Sequence, residues 1–267
     1  MAKVFITLLI LKKESSVRFK NKVVVVTGGT SGIGKATAKA FAKEGAIVVI
    51  AGRREEEGKV VASEIISEGG AASFIKTDIS KSSDLEALIQ QIINEFGRLD
   101  CAFNNAGTAE APASITDLTE DEWDRVLNTN LKGVWLSMKY QIPALLKTGG
   151  GSIVNMSSVY GLKATSIPLP AYIASKHGVI GITKAAALQY ASQNLRVNSV
   201  CPGWIPTEAN DAALEEPSMK AYAESLHPMG RLGTQEEVAQ AVLWLSSDAA
   251  SFVTAHSFVA DGGSMAQ

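Results

Sequence analysis

The chain has 267 residues, 46% apolar and 19% charged, with 25 Lys and Arg against 27 Asp and Glu. That suits one globular domain of the larger kind or two small ones, with a core large enough to need no covalent staples. A net charge of −2 with scattered cations leaves no electrostatic footprint for nucleic acid or an anionic membrane. Cys101 and Cys201 cannot make a disulfide framework, and no Cys-x-x-Cys or His cluster suggests a zinc site. A reducing, cytoplasmic setting is therefore expected.

The apolar run at residues 4–11 is too short to span a bilayer, which takes about twenty residues. No small-x-small cleavage site follows it, so residues 1–19 read as an N-terminal extension of unassigned role ahead of one domain at 20–267. From Lys22 onward, strand and helix patterns alternate. Strands are predicted at 23–26, 47–50, 72–75, 101–103, 152–155, 196–200 and 257–259. Helices are predicted at 34–43, 56–68, 83–96, 120–146, 171–190 and 235–246. Runs without polar alternation, such as the four valines at 23–26, imply burial on both faces. The expected fold is a doubly wound α/β domain of the Rossmann type, a seven-stranded parallel sheet flanked by helices. Pro206, Pro217 and Pro228 break the rhythm, and 204–233 is too long for an ordinary connection, which suggests a substrate loop.

The first strand leads into Thr27-Gly28-Gly29-Thr30-Ser31-Gly32-Ile33-Gly34, and Lys35 continues into an alanine-rich helix. Glycines at such a turn let backbone N–H groups approach a pyrophosphate at the positive end of the helix. The bland alternative is a tight turn without a ligand. The form T-G-x-x-x-G-x-G resembles the short-chain dehydrogenase/reductase family, and the likeness continues in order through Asn104-Asn105-Ala106-Gly107, Asn128-Thr129-Asn130, Ser157-Ser158, Tyr172-Ile173-Ala174-Ser175-Lys176 and Cys201-Pro202-Gly203-Trp204-Ile205-Pro206-Thr207. The resemblance implies an NAD(P)-dependent oxidoreductase acting on CH–OH groups. Its implied cofactor contacts are Gly28, Thr30, Ser31, Gly32, Ile33, Gly34, Asp78, Ile79, Asn105, Ala106, Gly107, Pro202, Gly203, Ile205 and Thr207, together with Tyr172 and Lys176.

The second predicted strand ends in Ala51-Gly52-Arg53-Arg54. With no carboxylate there to accept from a ribose 2′-hydroxyl, and with Arg53 able to bind a 2′-phosphate, NADP(H) is favoured and NAD(H) is the alternative. In the competing view the two arginines merely open a solvated helix. Ser31 stands where many NADP-type relatives carry a basic residue.

Tyr172 and Lys176, four apart on a helix, share one face. A neighbouring ammonium is expected to favour phenolate and so fit the tyrosine for acid/base work. The family pattern assigns the substrate-oxygen contact to Ser158, with Ser157 as alternative, and a proton relay through held water to Asn130. Segments 108–113, 159–169 and 204–230 should shape the substrate pocket. Their only Lys or Arg residues are Lys163 and Lys220, so a neutral or apolar carbonyl or alcohol substrate is expected. The ending Asp261-Gly262-Gly263 resembles family members that form homotetramers, although Ala255 replaces their usual glycine. The competing functions are an NAD-linked sugar or polyol dehydrogenase and a non-catalytic dinucleotide-binding regulator.

Overall fold

The computed structural model describes residues 17–208 and 210–267. Expectations placed on residues 1–16 lie outside the described residues. Phe19 is buried, with its ring edge-on to Phe41 at 4.8 Å, so packed chain begins before Lys20.

Seven parallel strands form one sheet in the order β3-β2-β1-β4-β5-β6-β7. They are β1 (Val23–Thr27), β2 (Ile47–Gly52), β3 (Ala71–Lys76), β4 (Cys101–Asn104), β5 (Gly151–Met156), β6 (Leu195–Pro202) and β7 (Ser257–Ala260). The valine run explains itself: Val23 and Val25 enter the core on one face of β1, Val24 and Val26 the core on the other. Each such burial contributes roughly 1.5–3 kcal/mol. One face is covered by α3 (Ser82–Phe96), α5 (Gly133–Lys147) and α6 (Pro170–Tyr190); the other by α1 (Gly32–Lys43), α2 (Glu55–Ser67) and α9 (Gln235–Ser246). Among the described residues no helix is long and apolar enough to cross a membrane.

Two predicted elements differ. The single helix expected at 120–146 is α4 (Glu120–Leu127), a π-helical turn over Asn128–Lys132, and then α5. Within that turn the Gly133 N–H reaches back to the Asn128 carbonyl, five residues away, and Asn130 is buried rather than exposed. Periodicity cannot show this, because one widened turn leaves the apolar spacing on either side intact. The segment 204–233 holds two short helices, α7 (Asp211–Leu214) and α8 (Pro217–Ser225). Pro217 starts α8 instead of breaking the chain, since the first helical position needs no N–H.

Ala255, which leads into β7, has φ of +60°. A Cβ there costs about 1 kcal/mol relative to glycine. Ala255→Gly is expected to stabilise the fold by about that amount and raise Tm by roughly 2–4 °C. A calorimetric scan showing a lower Tm would contradict the assigned strain.

Candidate active site

The carboxyl end of β1 is where the chain order reverses, the place in an open α/β sheet where a crevice forms. Gly28 and Gly32 have φ of +64° and +53°, open to glycine and strained for other residues. A Cβ on Gly34 would overlap the Gly28 carbonyl oxygen, and one on Gly28 would come within 2.8 Å of the Ala106 Cα. Asn105 holds this turn shut by donating its amide to the Thr27 and Gly28 carbonyls at 3.2 and 3.0 Å, while its own N–H donates to the Thr27 hydroxyl at 3.1 Å. The first turn of α1 has neither a side-chain cap nor an acidic residue. By contrast, α9 is closed by a capping box between Thr234 and Glu237. The uncapped, glycine-lined start of α1 suits a phosphate-bearing ligand.

A cleft of about 730 Å³ runs from this turn across the sheet, within the range of small-molecule sites. At one end it is lined by Thr30, Ser31, Arg53, Arg54, Asp78 and Ile79. Arg54 donates to the Thr30 hydroxyl at 3.0 Å, to the Ser31 hydroxyl, and to Glu208 across the cleft at 3.1 Å. The glycine-rich turn thus receives from Arg54 the positive charge its own sequence lacks. Arg53 acts electrostatically on Asp78, whose carboxylate also accepts from the Ser80 hydroxyl at 2.8 Å and N–H at 3.1 Å. Gly107, Pro202, Gly203, Ile205 and Thr207 line the middle.

Ser158, Tyr172 and Lys176 line the same cleft. Lys176 is buried and donates to the Met156 carbonyl at 3.0 Å, with its ammonium 5.4 Å from the centre of the Tyr172 ring. The Ser157 hydroxyl is spent on the Lys176 carbonyl at 2.9 Å, which ties β5 to α6. The neighbouring Ser158 accepts from the Tyr160 N–H at 3.1 Å and makes a polar contact with the Tyr172 phenol. Asn130 accepts from the Thr108 N–H at 2.8 Å and donates to the Thr108 carbonyl at 2.7 Å and the Ser175 hydroxyl at 3.0 Å. Its side chain thus ties the π-helical turn to the connection after β4 and to α6.

A family profile described as "Enoyl-(Acyl carrier protein) reductase" matches residues 28–265. The chain belongs to the short-chain dehydrogenase/reductase family. It is 44% identical over 252 residues to cyclohexanol dehydrogenase of Acinetobacter sp. (strain SE19), covering 94% of this chain and 98% of that one. It is 39% identical over 245 residues to a 2,5-dichloro-2,5-cyclohexadiene-1,4-diol dehydrogenase of Sphingobium indicum, covering 91% and 96% respectively. A short-chain type dehydrogenase/reductase from Mycobacterium marinum superposes with a TM-score of 0.90 at 33% identity, over 94% of this chain and 98% of that one. Like other members of the family, the protein is an oxidoreductase that acts on CH–OH groups with NAD(P).

Within this family frame, one electrostatic expectation is reversed. Burial pushes the Tyr172 phenol up to about 12, outweighing the Ser158 contact that favours phenolate. Burial also draws Lys176 down to about 8. Burial thus opposes the charged form of both groups and favours the protonated phenol.

Ala109, Val159, Tyr160, Leu169, Tyr172 and Trp204 also line the cleft. Lys163 turns away, donating to the Ser264 carbonyl at 2.8 Å and hydroxyl at 3.1 Å. Tyr160 and Glu110 fall in the segments expected to shape the pocket, but no pattern in the sequence assigns either of them a partner. Tyr160 accepts from the Trp204 indole N–H at 2.9 Å. Glu110 is a buried carboxylate within a segment read only for its cations. Asn105→Ala should free the turn carbonyls, at about 1 kcal/mol for each lost hydrogen bond, and weaken nucleotide binding roughly tenfold or more. Isothermal titration checks this, and unchanged affinity would contradict the role given to Asn105.

Proposed function

We propose that the protein is an NADP(H)-preferring oxidoreductase that interconverts a neutral ketone or aldehyde and its alcohol, with cyclic secondary alcohols as the first class to try. The observation that carries this reading is the single cleft, with a glycine-lined, arginine-flanked end and an uncharged end walled by aromatic and aliphatic side chains beside Ser158, Tyr172 and Lys176. The uncharged wall suits a substrate without phosphate or carboxylate, and the relatives named for cyclohexanol and for a cyclohexadiene diol point the same way.

In this reading residues 20–267 work as one unit. Gly28, Gly32 and Gly34 give a nucleotide's phosphates access to the start of α1, Asp78 and Ile79 border the adenine, and Arg53 and Arg54 meet a 2′-phosphate with charge-assisted bonds. Pro202, Gly203, Ile205 and Thr207 border the nicotinamide. When bound, the cofactor supplies or accepts a hydride. Ser158 orients the substrate oxygen, Tyr172 gives that oxygen a proton in reduction and takes one in oxidation, and Lys176 holds a ribose hydroxyl. Asn130 fixes the Thr108 backbone beside Lys176 and completes the proton path through its backbone. A cytoplasmic setting, in which the free thiols of Cys101 and Cys201 persist, belongs to the same reading. So does a homotetramer, by analogy with the family members that share the Asp261-Gly262-Gly263 ending.

Tyr172→Phe is expected to lower turnover by about two to four orders of magnitude while nucleotide affinity is retained; wild-type kcat in that variant would refute the assignment. Because the raised tyrosine is protonated at neutral pH, alcohol oxidation should quicken from pH 7 to 9 while carbonyl reduction stays level. An oxidation rate independent of pH over that range would contradict the protonation state. Arg54→Ala should weaken NADPH binding about tenfold with little effect on NADH, and equal losses for the two nucleotides would remove the 2′-phosphate role.

A further inference from the structure

The roles given to Asn130, Ser158, Tyr172 and Lys176 leave Glu110 unused, a carboxylate only 4% exposed in the connection between β4 and α4. Its Oε1 accepts from the Ala171 N–H at 2.8 Å, and the Tyr172 N–H lies 3.2 and 3.1 Å from its two oxygens. These are orphan donors of the first turn of α6. Leu169, the capping residue, supplies no side-chain acceptor, and Pro170 has no N–H to offer. An anion at that position also meets the positive end of the helix dipole. The rest of the connection is strapped from its other side. Arg125 donates to the Thr108 hydroxyl at 2.7 Å and the Ala109 carbonyl at 2.9 Å, and the Ala113 N–H donates to the Pro168 carbonyl at 3.0 Å.

We propose that Glu110 is a positioning residue: its carboxylate locks the connection after β4 onto the first turn of α6, and so holds Tyr172 and the Ala109 wall of the cleft in one fixed relation. The assignment rests on the oxidoreductase reading above. It has an electrostatic consequence. The groups that act on the phenol are Ser158, Tyr160, Cys201, Glu110 and the Lys176 ammonium. Among them Glu110 brings a buried negative charge, which opposes formation of phenolate. Glu110 therefore keeps the resting phenol protonated and raises the pH at which the phenolate needed to take a proton in oxidation becomes populated.

The test compares wild type, Glu110→Gln and Glu110→Ala in cyclohexanol oxidation across pH, together with NADPH affinity and Tm. Glu110→Gln keeps one acceptor for the helix but loses the charge. Its oxidation profile should shift to lower pH by about half a unit or more, with NADPH affinity unchanged. Glu110→Ala should lower kcat about tenfold or more through lost positioning. An ultraviolet tyrosinate titration, isolated by subtracting the same titration of Tyr172→Phe, should show the same shift without any turnover. If wild type turns over no alcohol, the oxidoreductase reading fails while this titration still decides the role of Glu110. Wild-type kcat in Glu110→Ala would overturn the positioning role, and wild-type midpoints in Glu110→Gln would overturn its electrostatic consequence. Should the variants fail to fold, hydrogen exchange on wild type decides: the Ala171 and Tyr172 amides must be protected like the helix interior, and exchange as fast as an open loop overturns the cap.

Discussion

Because β1 lies between β2 and β4, the chain leaves its carboxyl edge in opposite directions, and no connection covers the gap between them. Thr27 pairs in register with Ala51 on one side and Asn104 on the other. The glycine-rich turn, the two arginines and the Asn105 tie therefore reach the same opening without any of them travelling far. β5 and β6 bring Ser158 and Pro202 to that edge, and α6 returns Tyr172 and Lys176 over it. The cofactor end and the chemical end are two parts of one crevice because of this single register.

The register is defended beneath the site by polar groups rather than by aliphatic packing alone. Asn104 donates to Gln141 at 3.0 Å and Asn155 at 2.9 Å, Gln141 donates back to Asn104 at 2.8 Å, and Asn155 donates to Thr183 at 2.9 Å. All four side chains are buried. A slip between β4 and β5, or a rotation of α5 or α6, would leave unpaired amides in the interior, each costing about 1–3 kcal/mol. Such a network fixes the distances that proton transfer needs. Glu110 adds the same kind of constraint at the start of α6.

The layered architecture was legible because its causes are local. Four valines in a row demand burial on both faces, and glycine at Gly28 and Gly32 is demanded by a left-handed backbone. The features that escaped depend on partners far along the chain or on hydrogen-bond register. The π turn around Asn130 leaves the flanking apolar pattern unchanged. Glu110 finds its N–H partners some sixty residues on, at Ala171 and Tyr172. Both adjacent arginines line the cleft, and the bonds from Arg54 to Thr30 and Ser31 in the glycine-rich turn depend on a fold that brings the two segments together. The Tyr172–Lys176 spacing was readable, but the direction in which the phenol shifts depends on burial, which a spacing does not reveal.

The central claim is that one cleft passes a hydride between a neutral secondary alcohol and a nicotinamide nucleotide while Tyr172 handles the proton. Cyclohexanol deuterated at its carbinol carbon tests it most directly, with the reduced nucleotide read by mass spectrometry. The account predicts one deuterium on the NADPH formed and none lost to water. Unlabelled NADPH, or no reduced nucleotide from a protein that binds NADP⁺, would contradict it.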